Sequence, residues 1–210
     1  MTTLLSLVRH GETDWNLRRR IQGLTDIPLN DTGREQARAA GRLLARRSWD
    51  LVYTSPLSRA LETAQIIAGE LGLPEPVLLP AVVERDYGEA EGLDFDEIER
   101  RYPGRGSIPG QETREQVRDR VLPALRALAV EHEDAAVLVV SHGGAIRAAL
   151  TAVDPGQSHG VIRNGSIHSF QVTAGELRLL AFDDPLEASP ATAHDLDEQN
   201  AVEAREEGVA

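Results

Sequence analysis

Apolar positions along the chain come in short dense runs separated by longer stretches with helical spacing. Leu4–Val8 is a nearly pure apolar run, the pattern of a strand covered on both faces. Thr32-Gly33-Arg34-Glu35 has the form of a capping box and predicts a helix from there to about Arg47. Asp50–Tyr53 reads as a second strand. Ser55-Pro56 reads as N-cap and first-turn proline of a helix that passes through Ile66-Ile67 and stops at Gly72. Val77–Val83 predicts a third strand, interrupted by Pro80. A short helix follows from about Asp94 to Arg101, ended by Tyr102-Pro103-Gly104. Thr113-Arg114-Glu115-Gln116 is another capping box, opening a long helix to about Glu131 with Pro123 as an expected kink.

The clearest buried strand is Ala136–Ser141, followed by a helix over Ala145–Val153. Ser166–Val172 and Leu177–Phe182, joined by Thr173-Ala174-Gly175-Glu176, predict a β-hairpin at a sheet edge. Strands alternating with helices imply an α/β fold, a three-layer αβα sandwich whose central sheet is mostly parallel with an antiparallel edge hairpin. The pattern ends at Phe182. Residues 1–182 are therefore expected to form one domain, and 183–210, polar, acidic and without periodicity, a disordered C-terminal tail.

Composition narrows the function. The formal charge of −12 argues against nucleic acid or an anionic membrane as partner, because both demand basic side chains facing phosphates. Aromatic residues make up only 4%, which leaves little for base stacking. With no cysteine there can be no disulfide, thiolate metal site or cysteine nucleophile. No apolar run reaches membrane-spanning length, and Met1-Thr2-Thr3 lacks the basic start of a secretion signal, so a cytoplasmic location is expected. All 22 basic residues are arginine, a bias that codon usage explains more simply than a demand for oxyanion binding.

In open parallel sheets, ligands bind outside the carboxyl ends of the strands. Polar residues suited to chemistry stand at each such position: Arg9-His10 after strand one, Arg59 in the helix after strand two, Glu84 after strand three, and Ser141-His142-Gly143-Gly144 after strand four. Segments far apart in sequence would thus converge on one rim.

The stretch "LVRHGETDWN" resembles the Arg-His-Gly-x-(Ser/Thr)-x-x-Asn signature of the histidine phosphatase superfamily, the branch of cofactor-dependent phosphoglycerate mutases and many small-molecule phosphatases. "QGLTDIPLNDTGREQA", "TSPLSRALETA", "ERDYGEAEG" and "VSHGGAIRA" resemble the family's successive blocks, in order, from about Leu4 to Phe182. The resemblance implies that His10 is a nucleophile forming a phosphohistidine, a role that requires a neutral ring. Arg9 and Arg59 would hold the phosphoryl oxygens and disfavour imidazolium at His10. His142 would donate to the phosphate from the opposite side, and Gly143 would offer a backbone N–H. Glu84 would serve as acid and then base, its pKa raised beside the phosphate; Asp86, Glu89 and Glu91 are its rivals in the same segment.

Asn16, Gln22 and Gly23 match positions that line the substrate mouth in relatives, and Asn164, Ser166 and His168 could reach the site from the last crossover. His132, His159 and His194 read as surface residues. The resemblance implies no metal and no cofactor, and no His/Asp/Glu set has metal-ligand spacing. The expected partner is a small phosphorylated metabolite, with a homodimer left open.

The function expected is hydrolysis of small phosphomonoesters. A phosphoglycerate mutase is the alternative, and a non-catalytic phosphate-binding protein is the alternative of another class. Mutases resembling this chain carry a long insertion before the second histidine, where only Asp94 to about Gly110 stands here, and tend to have a histidine near Asp86. The non-catalytic reading expects the nucleophile or the acid to be missing, and neither is. Loops from Ile21 to Asn30 and from Leu93 to Gln111 would choose the substrate, with Arg105 or Arg114 available for a second anionic group.

Overall fold

The computed structural model describes residues 2–105, 108–156 and 159–184. In chain order the elements are β1 (Thr2–Arg9), α1 (Asp14–Leu17), α2 (Asp31–Leu44), β2 (Leu51–Thr54), α3 (Ser58–Leu71), β3 (Val77–Leu78), α4 (Phe95–Arg101), α5 (Arg114–Glu131), β4 (Ala136–Ser141), α6 (Gly143–Val153), β5 (Ile167–Thr173) and β6 (Glu176–Ala181). The sheet order is β3-β2-β4-β1-β5-β6. β3, β2, β4 and β1 run parallel, and β5 and β6 close the edge as an antiparallel hairpin.

Alternation along the central strands explains the three layers. Val137 and Val139 of β4 face one way, into a core with Leu125 of α5 and Ile146 and Leu150 of α6. Leu138 and Val140 face the other way, against Leu44 of α2 and Ala60, Ala64 and Ile67 of α3. A strand buried on both faces has to be apolar at every position, which is why β4 reads as a continuous run. A smaller cluster, Ile21, Tyr87, Ala90, Ile98 and Ile108, holds the segment between β3 and α5 against the loop after α1. Among the described residues no helix is long and apolar enough to cross a membrane.

Several local expectations give way to tertiary contacts. The cap of α2 is Asn30, whose side chain accepts from Gly33 N–H at 2.8 Å, so Thr32 lies inside the helix instead of opening it. Ser55-Pro56 does not open α3. The chain stays extended through Leu57, and Ser58 instead takes its cap from a distant loop, its N–H and hydroxyl both donating to Asp26 Oδ1 at 2.8 Å. The third strand shrinks to Val77–Leu78, because Pro80 begins a 3₁₀ turn over Pro80–Val82. The box at Thr113 and Gln116 forms as expected, and Pro123 lies within α5.

At the C-terminal end the packed structure runs past Phe182. Asp184 is buried, accepting from Ser169 Oγ at 2.8 Å and pairing with Arg47 at 3.0 Å. The rest of the expected tail, 185–210, lies outside the described residues.

Candidate active site

Sheet order brings the distant segments together. β2, β4 and β1 are neighbours running the same way, so their carboxyl ends share one rim. His10 N–H donates to Ser141 O and Ser55 N–H to Val140 O, each at 3.0 Å, which sets Ser55, His142 and His10 side by side. The rings of His10 and His142 are buried, with centroids 5.1 Å apart.

Both rings are neutral near pH 7. Burial, followed by the positive charges of Arg59 and Arg9, holds His10 well below the usual histidine pKa. Burial and then Arg59 do the same to His142. The carbonyl oxygen of Gly11 lies 2.7 Å from His10 Nδ1 and can only accept, so the proton of the neutral ring sits on Nδ1. Nε2 keeps its lone pair. His142 is held at its other end, with Nε2 2.8 Å from Ser55 Oγ, while its Nδ1 is buried with no hydrogen-bond partner among the described residues.

The arginines are fixed by carbonyls. Arg9 donates to Ile162 O at 2.7 Å. Arg59 donates to Thr25 O at 2.9 Å and Gly23 O at 2.7 Å, and its Nε is buried without a partner among the described residues. Neutral carbonyl acceptors hold these guanidinium groups in place beside the two rings, where their positive charge suits a doubly negative phosphoryl group. The desolvation of burial pulls Arg59 down to about 10, still protonated at neutral pH.

Glu84 reaches the rim from the turn after β3. Its Oε1 accepts from Arg85 N–H at 2.7 Å and from Gly144 N–H at 3.0 Å, in the first turn of α6. Two residues outside the predicted catalytic and substrate-binding set hold this turn. Ser141 Oγ donates to Val82 O, and Arg120 of α5 donates to the carbonyls of Ala81, Val83 and Glu84. The rival carboxylates have other occupations. Glu91 accepts from the N–H groups of Leu24 and Thr25 and so shapes the loop that anchors Arg59; Asp86 caps Gly88 N–H; Glu89 accepts from Tyr102 OH on the surface.

The remaining expected site residues divide. Gly23 supplies an Arg59 anchor, and with φ +56° a Cβ there would be strained and would fall 1.9 Å from Glu91 Oε1, so a side chain would have to displace the Glu91 carboxylate. Gln22 is fully buried, accepting from Thr13 Oγ1, with its Nε2 lacking a partner among the described residues. Asn16 forms a capping box with Thr13. Gly143 is the first residue of α6, where N–H groups have no acceptor within the helix. A Cβ on Gly11 would lie 2.3 Å from Gly33 O, so the glycine lets α2 close against the loop.

Asn164 does reach the nucleophile loop, donating to His10 O at 3.0 Å. Ser166 and His168 instead bond each other, and His168 lies against Phe182. His132 is half-buried on Tyr53 OH and His159 stacks on Phe182, so neither is a simple surface residue; His194 lies outside the described residues. A cleft of about 440 Å³ opens beside Glu84, lined by Leu24, Gly110 and Gln111 from the two loops expected to choose the substrate. Arg114 lies elsewhere, in a second cavity between α5 and α6.

The sequence profile of the histidine phosphatase superfamily (branch 1) matches residues 5–185. The chain belongs to this superfamily. It is 47% identical, over 73% of its length and 79% of the relative's, to the uncharacterized phosphatase PhoE of Bacillus subtilis. It is 36% identical to a metal-independent phosphoserine phosphatase of Arabidopsis thaliana, covering 79% of this chain and 75% of that one. The solved structure of Bacillus stearothermophilus YhfR superposes with a TM-score of 0.78 at 30% identity, covering 88% of this chain and all of that one. In this histidine phosphatase His10, His142, Arg9, Arg59 and Glu84 stand together on one rim of the sheet.

Proposed function

We propose that the chain is a metal-independent phosphatase that hydrolyses small phosphomonoesters through a phosphohistidine on His10. His10 Nε2 attacks phosphorus and forms the N–P bond as the ester P–O bond breaks. Glu84 gives its proton to the departing alkoxide. Water then attacks the phosphohistidine, Glu84 takes the water's proton, the N–P bond breaks, and phosphate leaves a neutral His10. Arg9 and Arg59 hold the equatorial oxygens throughout, with the Gly143 N–H beside them. Ser55 accepts from Leu57 N–H at 3.3 Å and turns its own proton to His142 Nε2, so that the ring proton of His142 stands on Nδ1, toward the phosphoryl group.

The observation that carries this reading is the His10 Nδ1 contact with Gly11 O, which leaves a lone pair on Nε2 between two carbonyl-pinned guanidinium groups. Asn16 and Gln22 are the contacts we assign to substrate at the mouth. The cleft beside Glu84 suits a small metabolite. We place the enzyme in the cytoplasm.

Phosphate release from a panel of phosphomonoesters in EDTA, with His10→Ala as control and phosphoglycerate interconversion assayed in parallel, tests the assignment. Release by the native chain and none by the variant is expected. Interconversion without release would establish the mutase instead, and phosphate binding with neither activity would establish a non-catalytic protein.

A further inference from the structure

Arg147 of α6 repeats, outside the site described above, the way Arg59 is built. It is 3% exposed; its NH1 donates to His159 O at 2.7 Å and its NH2 to Gly160 O at 2.9 Å. Its Nε is buried with no partner among the described residues. No carboxylate among those residues lies within ion-pair distance of it, although buried charges are ordinarily paired. In Arg59 the same arrangement, two neutral carbonyls and an unpartnered Nε, leaves the charge for a ligand.

Arg147 lines a cavity of about 560 Å³ between α5 and α6. Arg85 and Arg114 line the same cavity with Glu115, and Arg118, ion-paired with Asp119 at 2.9 Å, stands at its rim. Val117, Leu122, Ala148 and Ala152 supply an apolar wall. Neither His10, His142, Arg9 nor Arg59 borders it. Among the described residues it touches the reaction site only through Gly144 and Arg85, the two residues whose main-chain N–H groups hold the Glu84 carboxylate.

We propose that this cavity is a second binding site, for a small organic anion with a carboxylate, sulfonate or phosphate head and an apolar body. The head lies on Arg147 with Arg85 and Arg114, and the body lies along Ala148 and Ala152. A phosphate ester bound there is out of reach of His10 and is not hydrolysed.

Calorimetric titration of the full chain with 2-naphthoate, in the presence and absence of saturating orthovanadate, tests this. Vanadate occupies the phosphoryl site, so binding that survives it reports the second cavity. Ala152→Trp fills the apolar wall and should weaken 2-naphthoate by roughly tenfold or more. Arg118→Glu, a change on an exposed side chain at the rim, should weaken it several-fold and guards against a packing artefact of the first variant. Both should hydrolyse p-nitrophenyl phosphate at close to the native rate, which also reports that they fold. Loss of binding in vanadate, native affinity in both variants, or no saturable binding at millimolar 2-naphthoate would each overturn the proposal.

Discussion

Ser55 Oγ lies 2.8 Å from Nε2 of His142, and the opposite ring nitrogen, Nδ1, is buried without a partner among the described residues. One hydroxyl thus ties down the ring on the side away from its open donor position. The orientation of the ring follows from this bond, and with Ser55 donating to Nε2 the ring proton stands on Nδ1.

Ser55→Ala should therefore lower kcat by about tenfold, the value of one hydrogen bond to a reacting group, with a smaller change in KM. Ser55→Thr keeps the hydroxyl and should recover most of the rate. Equal rates for the native and alanine enzymes would remove Ser55 from the account.

Glu84→Gln cannot supply a proton, and its effect should depend on the leaving group. Hydrolysis of alkyl phosphates should fall by about 10²–10⁴-fold. Formation of phosphohistidine from p-nitrophenyl phosphate, whose leaving group needs no proton, should fall far less. Arg120→Met releases three carbonyls of the Ala81–Glu84 turn and should imitate this pattern more weakly. Burst kinetics with both ester types would separate the two steps.

Glu91→Ala removes the carboxylate that accepts from Leu24 and Thr25 N–H at 2.8 and 2.9 Å. The loop carrying the Gly23 and Thr25 carbonyls should loosen, and Arg59 with it. A KM raised several-fold with weaker vanadate inhibition is expected, along with a stability loss of about 1–3 kcal/mol for the orphaned donors. An unchanged KM would show that Arg59 keeps its place without Glu91.

Acid should destabilise the fold through its buried histidines. His10, His142 and His168 are all depressed, chiefly by desolvation, His168 to about 3. Unfolded histidine titrates near 6.5, so below that pH the unfolded chain binds more protons than the native one. Stability is fully present above about pH 6.5 and is lost progressively as pH falls toward the folded values. Melting temperatures between pH 7 and 4 should drop, and His168→Gln should flatten the drop. The acid limb of kcat/KM due to His10 should lie well below pH 6.5, because the nucleophile stays neutral there.

The layer order, the buried strands and the chemistry-bearing residues at their ends were legible in the sequence. Those features come from local pattern: β4 is apolar at every position because both its faces are covered, and Arg9-His10 and His142 stand where strands of a parallel sheet deliver ligands. Tertiary structure alone decided what each polar residue does once delivered. Ser55 looked like a helix cap and is a support for His142, because Asp26 caps α3 from 32 residues away. Glu84 and Glu91 carry the same side chain seven positions apart, and only the placement of Gly144 and of the Leu24–Thr25 loop separates their roles. Arg120 and Arg147 are ordinary helical arginines in the sequence. Burial against backbone carbonyls, which no local pattern records, makes one a clamp on the Glu84 turn and leaves the charge of the other for a ligand.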